Sequence, residues 1–538
     1  MIILAPIGLL LLAAIAILIL DRVRPKFGTS WLIASGTSVL AWLAVVFFRF
    51  RLPTTLAIMS WGESNLNLVC KISLLLDYDN WPYLLALVTI LMAVILTDAA
   101  RTRYDTTPKS WVASLFITAL GLLALQSGTG LTIMITWLIV DGFELLYLLG
   151  LKESRLFSRQ IAQSYAVRIA SILMLGVGTI LGWQTAGCFP LSEIPQAASF
   201  FFLVAAGLRL GVLPLNLTVL QEPSLRRGAG NLIRLAPVAA SMSLLARLSN
   251  NPITSNLMGW LPVIMILLAI AALYAAFRWL TASDEIEGRP FWIIAWSVLA
   301  IASVLNGAPK ASLVWGSALL LPGSLLFLYF PRVQRMNFLL YLGLLGLVGF
   351  PFTPAASGWV GLTAGGVTFW TIVFILTHAL LVLGYIKRII QPGGAVGVLE
   401  SWARLVYPLG LILIIQAIVV LGLIGWPGSW TLGTWWPGLI SNGVVILLLI
   451  LTRKKNHNAI TIEIPSSTNM GKLIGKLLLW LERFFQLGWL SRFIALILGL
   501  FMRLLRAISF ILESEGGILW TLLLFLLLIS LLTGIGIN

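Results

Sequence analysis

Gly349-Phe-Pro351-Phe-Thr-Pro354-Ala-Ala-Ser-Gly358 interrupts an apolar run, 338–364, that is otherwise long enough to cross a membrane as a helix. Its prolines cannot continue a helix, because proline lacks the N–H the ladder needs and its ring meets the preceding turn. A second apolar run, 200–222, is interrupted at Pro214. Working outward, apolar run length and Pro, Gly and charge breaks place spans at 2–20, 31–48, 81–96, 111–126, 130–151, 165–183, 200–222, 232–248, 260–279, 291–305, 311–330, 338–364, 367–386, 405–424, 436–451 and 518–537, sixteen in all. The two broken spans are the seventh and the twelfth. An odd offset reverses orientation, so spans four to eight and nine to thirteen read as two inverted five-helix repeats.

The composition agrees with this reading. The chain is 59% hydrophobic and 10% charged, against about 25% charged in soluble domains, which excludes a water-soluble globule. The fold class is an all-α polytopic membrane protein. Lysine and arginine outnumber the acids 35 to 19. With the N-terminus outside, the excess falls on inner segments: Arg22, Arg24, Lys26; Arg101, Arg103, Lys109; Lys152, Arg155, Arg159; Arg226, Arg227, Arg234; Arg278, Arg289; Arg332, Arg335; Lys387, Arg388, Arg404; and Arg453 to Lys455. Outer segments carry Arg49, Arg51, Lys71 and Lys310. The basic balance therefore reports orientation in a lipid bilayer, not a nucleic-acid face.

The organisation that follows has spans one to three in 1–110, the repeats in 111–250 and 251–390, and spans fourteen and fifteen in 391–452. A polar linker covers 453–470, an amphipathic lateral helix 471–512 and a terminal span 513–538. In the amphipathic segment Lys472, Lys476 and Arg483 share one face, and Arg492, Arg503 and Arg506 share nearly the opposite one, the change falling at Gly488. Such a segment is expected to lie along the cytoplasmic membrane surface. The first span follows Met1 without a basic leader and reads as a retained helix rather than a cleaved signal.

The chain has two cysteines, Cys70 and Cys188, in no metal-ligand spacing, and two histidines, so no metal centre is expected. Both cysteines fall in outer segments, where a disulfide is permitted and two free thiols are the alternative. No Gly-rich phosphate loop or cysteine cluster is present, so no cofactor is expected in this chain and any redox chemistry belongs to partners.

Ionisable side chains inside a bilayer are costly and are functional candidates by default. Asp141 and Glu144 lie three residues apart on one face of the fifth span. Arg168 follows in the sixth, Arg209 in the seventh, Arg247 in the eighth, Lys310 at the start of the eleventh and His378 in the thirteenth. Asp141, Glu144, Arg209, Arg247 and His378 are the candidate members of a lateral proton relay, in which the charge state of each group depends on its neighbours. Structural ion pairing is the competing reading, and for Arg168 and Arg247 it leads, because a guanidinium is a poor proton carrier. Pro214, Gly349, Pro351, Pro354 and Gly358 are the helix-break residues. No catalytic residue is expected.

These residues resemble the antiporter-like membrane subunits of respiratory complex I and of the multisubunit cation/proton antiporters. Val140-Asp141-Gly142 stands where that family has a Trp-Glu-Gly, and Ala206-Gly-Leu-Arg209-Leu-Gly-Val-Leu-Pro214-Leu-Asn216 is similar to its Gly-Lys-Ser-Ala-X-X-Pro-X-His run. Ser73-Leu-Leu-Leu-Asp77 through Trp81, Ala236-Pro through Met242, and Gly349-Phe-Pro351 through Trp359 resemble further motifs, across roughly 70–390. The resemblance implies a proton- or cation-translocating subunit, with other membrane subunits as partners, in a bacterial cell membrane, and Asp141 as the essential acid. Arg209 replaces the family's lysine, Asn216 its histidine, Arg247 matches its eighth-helix lysine approximately, and Leu362 stands where a charge is expected. The second half of the relay is therefore nearly apolar, which motivates an alternative: a non-conducting structural paralogue that holds a membrane complex together. A remoter alternative is a lipid-linked glycosyltransferase using Asp77 and Asp79 on a divalent metal.

The charge asymmetry predicts that reporter fusions after Ser30, Lys109 and Asn458 all read cytoplasmic. A periplasmic signal at any one of them breaks the topology.

Overall fold

A computed structural model describes residues 2–24, 30–61, 70–98, 108–150, 155–213, 227–248, 259–329, 336–391, 401–455 and 517–534, with isolated positions between 476 and 509. The chain divides into two compact units, Met1–Ile464 and Pro465–Asn538. The second contains one described apolar helix of its own, Gly517–Gly534. Most of the expected lateral helix, 471–512, lies outside the described residues.

The first unit is helical apart from one hairpin. In chain order it comprises α1 (Ala5–Val23), α2 (Ser30–Phe48), β1 (Thr54–Trp61), β2 (Cys70–Leu76), α3 (Trp81–Asp98), α4 (Pro108–Leu125), α5 (Gly130–Gly150) and α6 (Arg155–Ala186). Then come α7 (Gln196–Arg209), α8 (Ala229–Ala246), α9 (Leu261–Thr281), α10 (Glu285–Leu305) and α11 (Ser312–Leu328). The series closes with α12 (Asn337–Gly343), α13 (Pro354–Thr363), α14 (Phe369–Ile390), α15 (Ser401–Ile424) and α16 (Trp435–Lys455). Among the described residues twelve helices are long and apolar enough to span a membrane, and four shorter apolar helices accompany them. The protein is thus an integral, multi-pass, mainly helical membrane protein.

The strands β1 and β2 pair antiparallel, from Thr54 opposite Leu76 to Trp61 opposite Cys70, with an irregularity between Ala57 and Met59. The sequence reading left this outer segment without a strand. Its Thr-Thr-Leu-Ala-Ile-Met-Ser-Trp run is short and β-favouring, and only pairing with the distant Cys70–Leu76 run completes its hydrogen bonds. Cys188 is disulfide-bonded, and Cys70 is the only other cysteine of the chain.

Burial places α3, α8, α10 and α11 at the centre, where they pack on one another and are enclosed almost completely. Gly288 of α10 and Gly316 and Gly323 of α11 leave room for aromatic side chains, since a Cβ there would run into Trp279, Tyr83 and Trp292. Helices α1, α2, α5, α6, α9 and α15 surround the centre and keep large apolar side chains such as Leu12, Leu146, Leu173, Leu267 and Leu405 exposed on their outer faces.

Both interrupted runs end in defined local geometry. Helix α7 stops at Arg209, and Gly211 follows at φ +76. The Val212 N–H donates to the Gly207 carbonyl at 2.8 Å and the Gly211 N–H to that of Leu208 at 3.1 Å, the paired bonds of a glycine C-cap. The helix therefore ends ahead of Pro214, which lies outside the described residues. In the other run, residues 347–353 are non-helical, so Gly349 and Pro351 lie in the break, while Pro354 is the first residue of α13 and Gly358 lies within that helix. There a Gly358 side chain would meet Trp315 and Val314 at 2.9 Å, so its role is close packing.

Gly349 and Gly438 touch backbone to backbone: a Cβ on Gly438 would fall 2.5 Å from the Gly349 Cα and closer still to its carbonyl oxygen. Neither atom can swing away as a flexible side chain could. Gly438→Ala is expected to cost about 1–3 kcal/mol, the usual penalty of overpacking, read as a lowered unfolding midpoint of the detergent-purified chain. An unchanged midpoint contradicts the contact.

Candidate functional site

The site begins with the i, i+3 spacing of Asp141 and Glu144, which puts both carboxylates on one face of α5. Each is almost wholly buried, at 1% and 2% exposure. Buried carboxylates require partners, and here arginines from three other helices supply them. Arg209 sits in the last turn of α7, where the exposed carbonyls of the helix end favour a cation. It grips Asp141 with both arms, Nη1 to Oδ2 at 2.5 Å and Nη2 to Oδ1 at 2.6 Å. Its guanidinium lies 4.5 Å over the ring of Trp137, one turn before Asp141 on α5.

Arg168, from α6, bridges the two acids. Its Nη1 donates to Asp141 Oδ1 at 3.1 Å and to Glu144 Oε2, and its Nη2 to Glu144 Oε1 at 3.0 Å. Arg234, from α8, reaches the same Glu144 Oε1 at 2.5 Å. The result is a buried ladder of alternating charge, Arg209–Asp141–Arg168–Glu144–Arg234, drawn from α7, α5, α6 and α8. One turn before Arg234 on α8, Asn231 accepts from Arg289 of α10 at 2.7 Å, and Arg227 pairs with Glu285 at the start of α10. Polar contacts therefore continue from α8 and the residues before it to α10.

The candidate residues divide between this ladder and other places. Asp141, Glu144 and Arg209 are in it. Arg247 caps the far end of α8, thirteen residues or about 20 Å along the axis from Arg234. There it donates to Asp77 Oδ2 at 3.1 Å and to the Ser127 carbonyl at 3.0 Å. Asp79 pairs with Lys310. The two carboxylates of the metal-dependent alternative are thus each matched to a cation, and no group of three or more metal-ligating side chains converges among the described residues. His378 stands apart from the ladder, on α14 and enclosed by the rings of Trp296, Trp315 and Trp359, and Leu362 is buried at 2% exposure.

Sequence reasoning missed Arg234 and Arg289. Both count among the inner basic residues, Arg234 at the start of its span and Arg289 just before its own, yet α8 begins at Ala229 and α10 at Glu285, so each arginine lies inside a helix and is buried at 2% exposure. The signal was present: Leu232-Ile-Arg234-Leu-Ala-Pro-Val flanks the arginine with apolar residues on both sides. Every cation of the ladder is arginine, so its groups that can exchange a proton are the carboxylates Asp141 and Glu144.

No protein-family model and no curated protein matches this chain. Solved structures do. A chain of the Mrp complex from Dietzia sp. DQ12-45-1b superposes with a TM-score of 0.67 at 14% identity, covering 100% of this chain and 63% of that one. This chain therefore spans under two thirds of that chain's length. A chain of respiratory complex I from Thermus thermophilus with bound aureothin superposes with a TM-score of 0.57 at 13% identity, covering 78% of this chain and 98% of that one. The fold is the one that the sequence resemblance implies.

Removing Arg168 leaves two neighbouring buried carboxylates short of a partner. Arg168→Met is expected to cost about 3–5 kcal/mol, as breaking a buried pair does, with part of the loss recovered in Arg168→Met/Glu144→Gln. Denaturant unfolding of the single and double variants measures the coupling. Strictly additive losses would show that the bridge carries no energy.

Proposed function

We propose that this chain is a proton- or cation-translocating membrane subunit of a complex I-like or antiporter-like assembly in a bacterial cell membrane. In this reading it has sixteen spans, both termini outside, two inverted five-helix repeats and other membrane subunits as partners. The observation that carries the reading is the environment of Asp141: a buried carboxylate whose two oxygens are bonded by arginines from two different helices, one of them at the end of an interrupted helix. An interrupted helix can shift its last turn without breaking a continuous hydrogen-bond ladder.

The mechanism follows from what each group can do. Arg209 keeps its charge and acts as an electrostatic switch. When it holds Asp141, the carboxylate is satisfied. When it withdraws, Asp141 takes a proton or another cation in its place. Arg168 couples this event to Glu144, because it touches both acids, and Arg234 carries the change to α8. Arg247 and His378 lie outside this route.

The structural-paralogue reading draws on different observations: the ladder's cations are all arginine, and Leu362 leaves the second half without the charge that the resemblance leads one to expect. Transport by the assembled complex in vesicles containing a pH-sensitive dye separates the two. Asp141→Asn should abolish ion movement with insertion preserved, and Asp141→Glu should retain part of it. Arg209→Lys should outperform Arg209→Ala, since lysine keeps the charge. Transport undiminished in Asp141→Asn would leave the scaffold reading standing.

A further inference from the structure

The break between α12 and α13 leaves backbone carbonyls without helical donors. In a continuous helix the Leu347 carbonyl would accept from the N–H four residues on, but that residue is Pro351, which has none. The donor comes from another helix instead: His378 Nε2, on α14, lies 2.9 Å from the Leu347 oxygen. The neighbouring carbonyls are served locally, Phe350 by the Thr353 N–H at 3.1 Å and Val348 by the Thr353 hydroxyl at 2.6 Å.

A carbonyl only accepts, so the nitrogen facing Leu347 carries the proton. The other ring nitrogen, Nδ1, is 2.7 Å from Ser441 Oγ on α16, which fills the role of donor. The rest of the ring meets tryptophans from three helices: Trp296 of α10, Trp315 of α11 and Trp359 of α13, with centroids 5.7, 6.2 and 5.3 Å away, all edge-on. The imidazole is fully buried. Both ring nitrogens are thus engaged, one by a carbonyl and one by a hydroxyl.

We propose that His378 is a positioning residue, an internal hydrogen-bond donor that replaces the N–H missing at Pro351 and so fixes the helix break against α14 and α16. It is therefore not a member of the relay. The second group of helices is closed by a histidine pin within a tryptophan box, and the exchangeable sites are confined to the ladder around Asp141. The fixed tautomer is itself the functional property: a ring that shuttled protons would have to release Leu347 in each cycle.

The two ring nitrogens have different side-chain mimics, and this makes the test selective. Glutamine places an amide N–H close to the Nε2 position, whereas asparagine is shorter and mimics Nδ1. In the full-length purified chain, His378→Gln should keep the unfolding midpoint and the protease resistance of 347–353 near those of the parent. His378→Asn and His378→Leu should both lower the midpoint by several degrees and expose the break. The chain has one other histidine, His457, so in a His457→Gln background a 15N-histidine label reports His378 alone. Its spectrum should show a protonated Nε2 and a bare Nδ1, unchanged between pH 6 and pH 8, a window of about one unit around neutrality that spans the ordinary histidine range. A protonated Nδ1, a titration across that window, or a glutamine variant no better than leucine would overturn the assignment. These readouts do not depend on transport, so they stand or fall separately from the relay.

Discussion

Burying a carboxylate among membrane-embedded helices costs several kcal/mol unless a cation and hydrogen bonds meet it, and Asp141 with Glu144 imposes that demand twice on one face of α5. The rest of the first helical group is arranged to answer it. Helix α7 stops where Arg209 meets Asp141, α6 runs close enough for Arg168 to touch both acids, and α8 begins early enough to bring Arg234 to Glu144. Removing Arg168 takes a partner from both acids, and removing Arg209 or Arg234 takes one from Asp141 or Glu144. The ladder is thus at once a constraint on packing and a place where ionisable groups from four helices converge.

The choice of arginine shapes what such a ladder can do. A lysine can hand over a proton and return neutral, whereas a guanidinium can only move. Exchange chemistry is then left to two carboxylates, with the arginines deciding when each is satisfied. The second helical group is built differently. Rings of Trp279, Trp292, Trp296, Trp315 and Trp359 follow one another at centroid spacings of 5.0 to 5.8 Å, and the histidine at their end spends both nitrogens on hydrogen bonds. Charge surrounds the end of α7, whereas aromatic surface surrounds the break between α12 and α13.

Much of this was legible in the chain itself. Run length and the alternation of basic loops gave the membrane class, and the spacing of Asp141 and Glu144 marked the acidic face without any tertiary knowledge. The break at Gly349 and Pro351 was legible because proline removes a donor wherever it stands. What escaped the sequence depended on boundaries and on distant partners. Spans drawn from hydropathy begin where charges stop, so Arg289 fell outside a helix that starts at Glu285, and Arg234, third residue of its span, counted as an inner-end charge although α8 starts at Ala229. Arg247 reads as a mid-membrane group until α8 has ends, and its partner Asp77 is 170 residues away. The tryptophans around His378 come from three separate helices, so nothing local distinguished a pinned ring from a carrier.

The central claim is that Asp141 changes protonation as Arg209 engages and withdraws. Infrared difference spectroscopy on the reconstituted assembly, with 13C-carboxyl aspartate and Asp141→Asn as the assignment control, measures this directly. The account predicts that a protonated-carboxyl band belonging to Asp141 appears when an ion gradient is imposed and disappears when it is dissipated. Ion movement with the Asp141 carboxylate band unchanged throughout would contradict it.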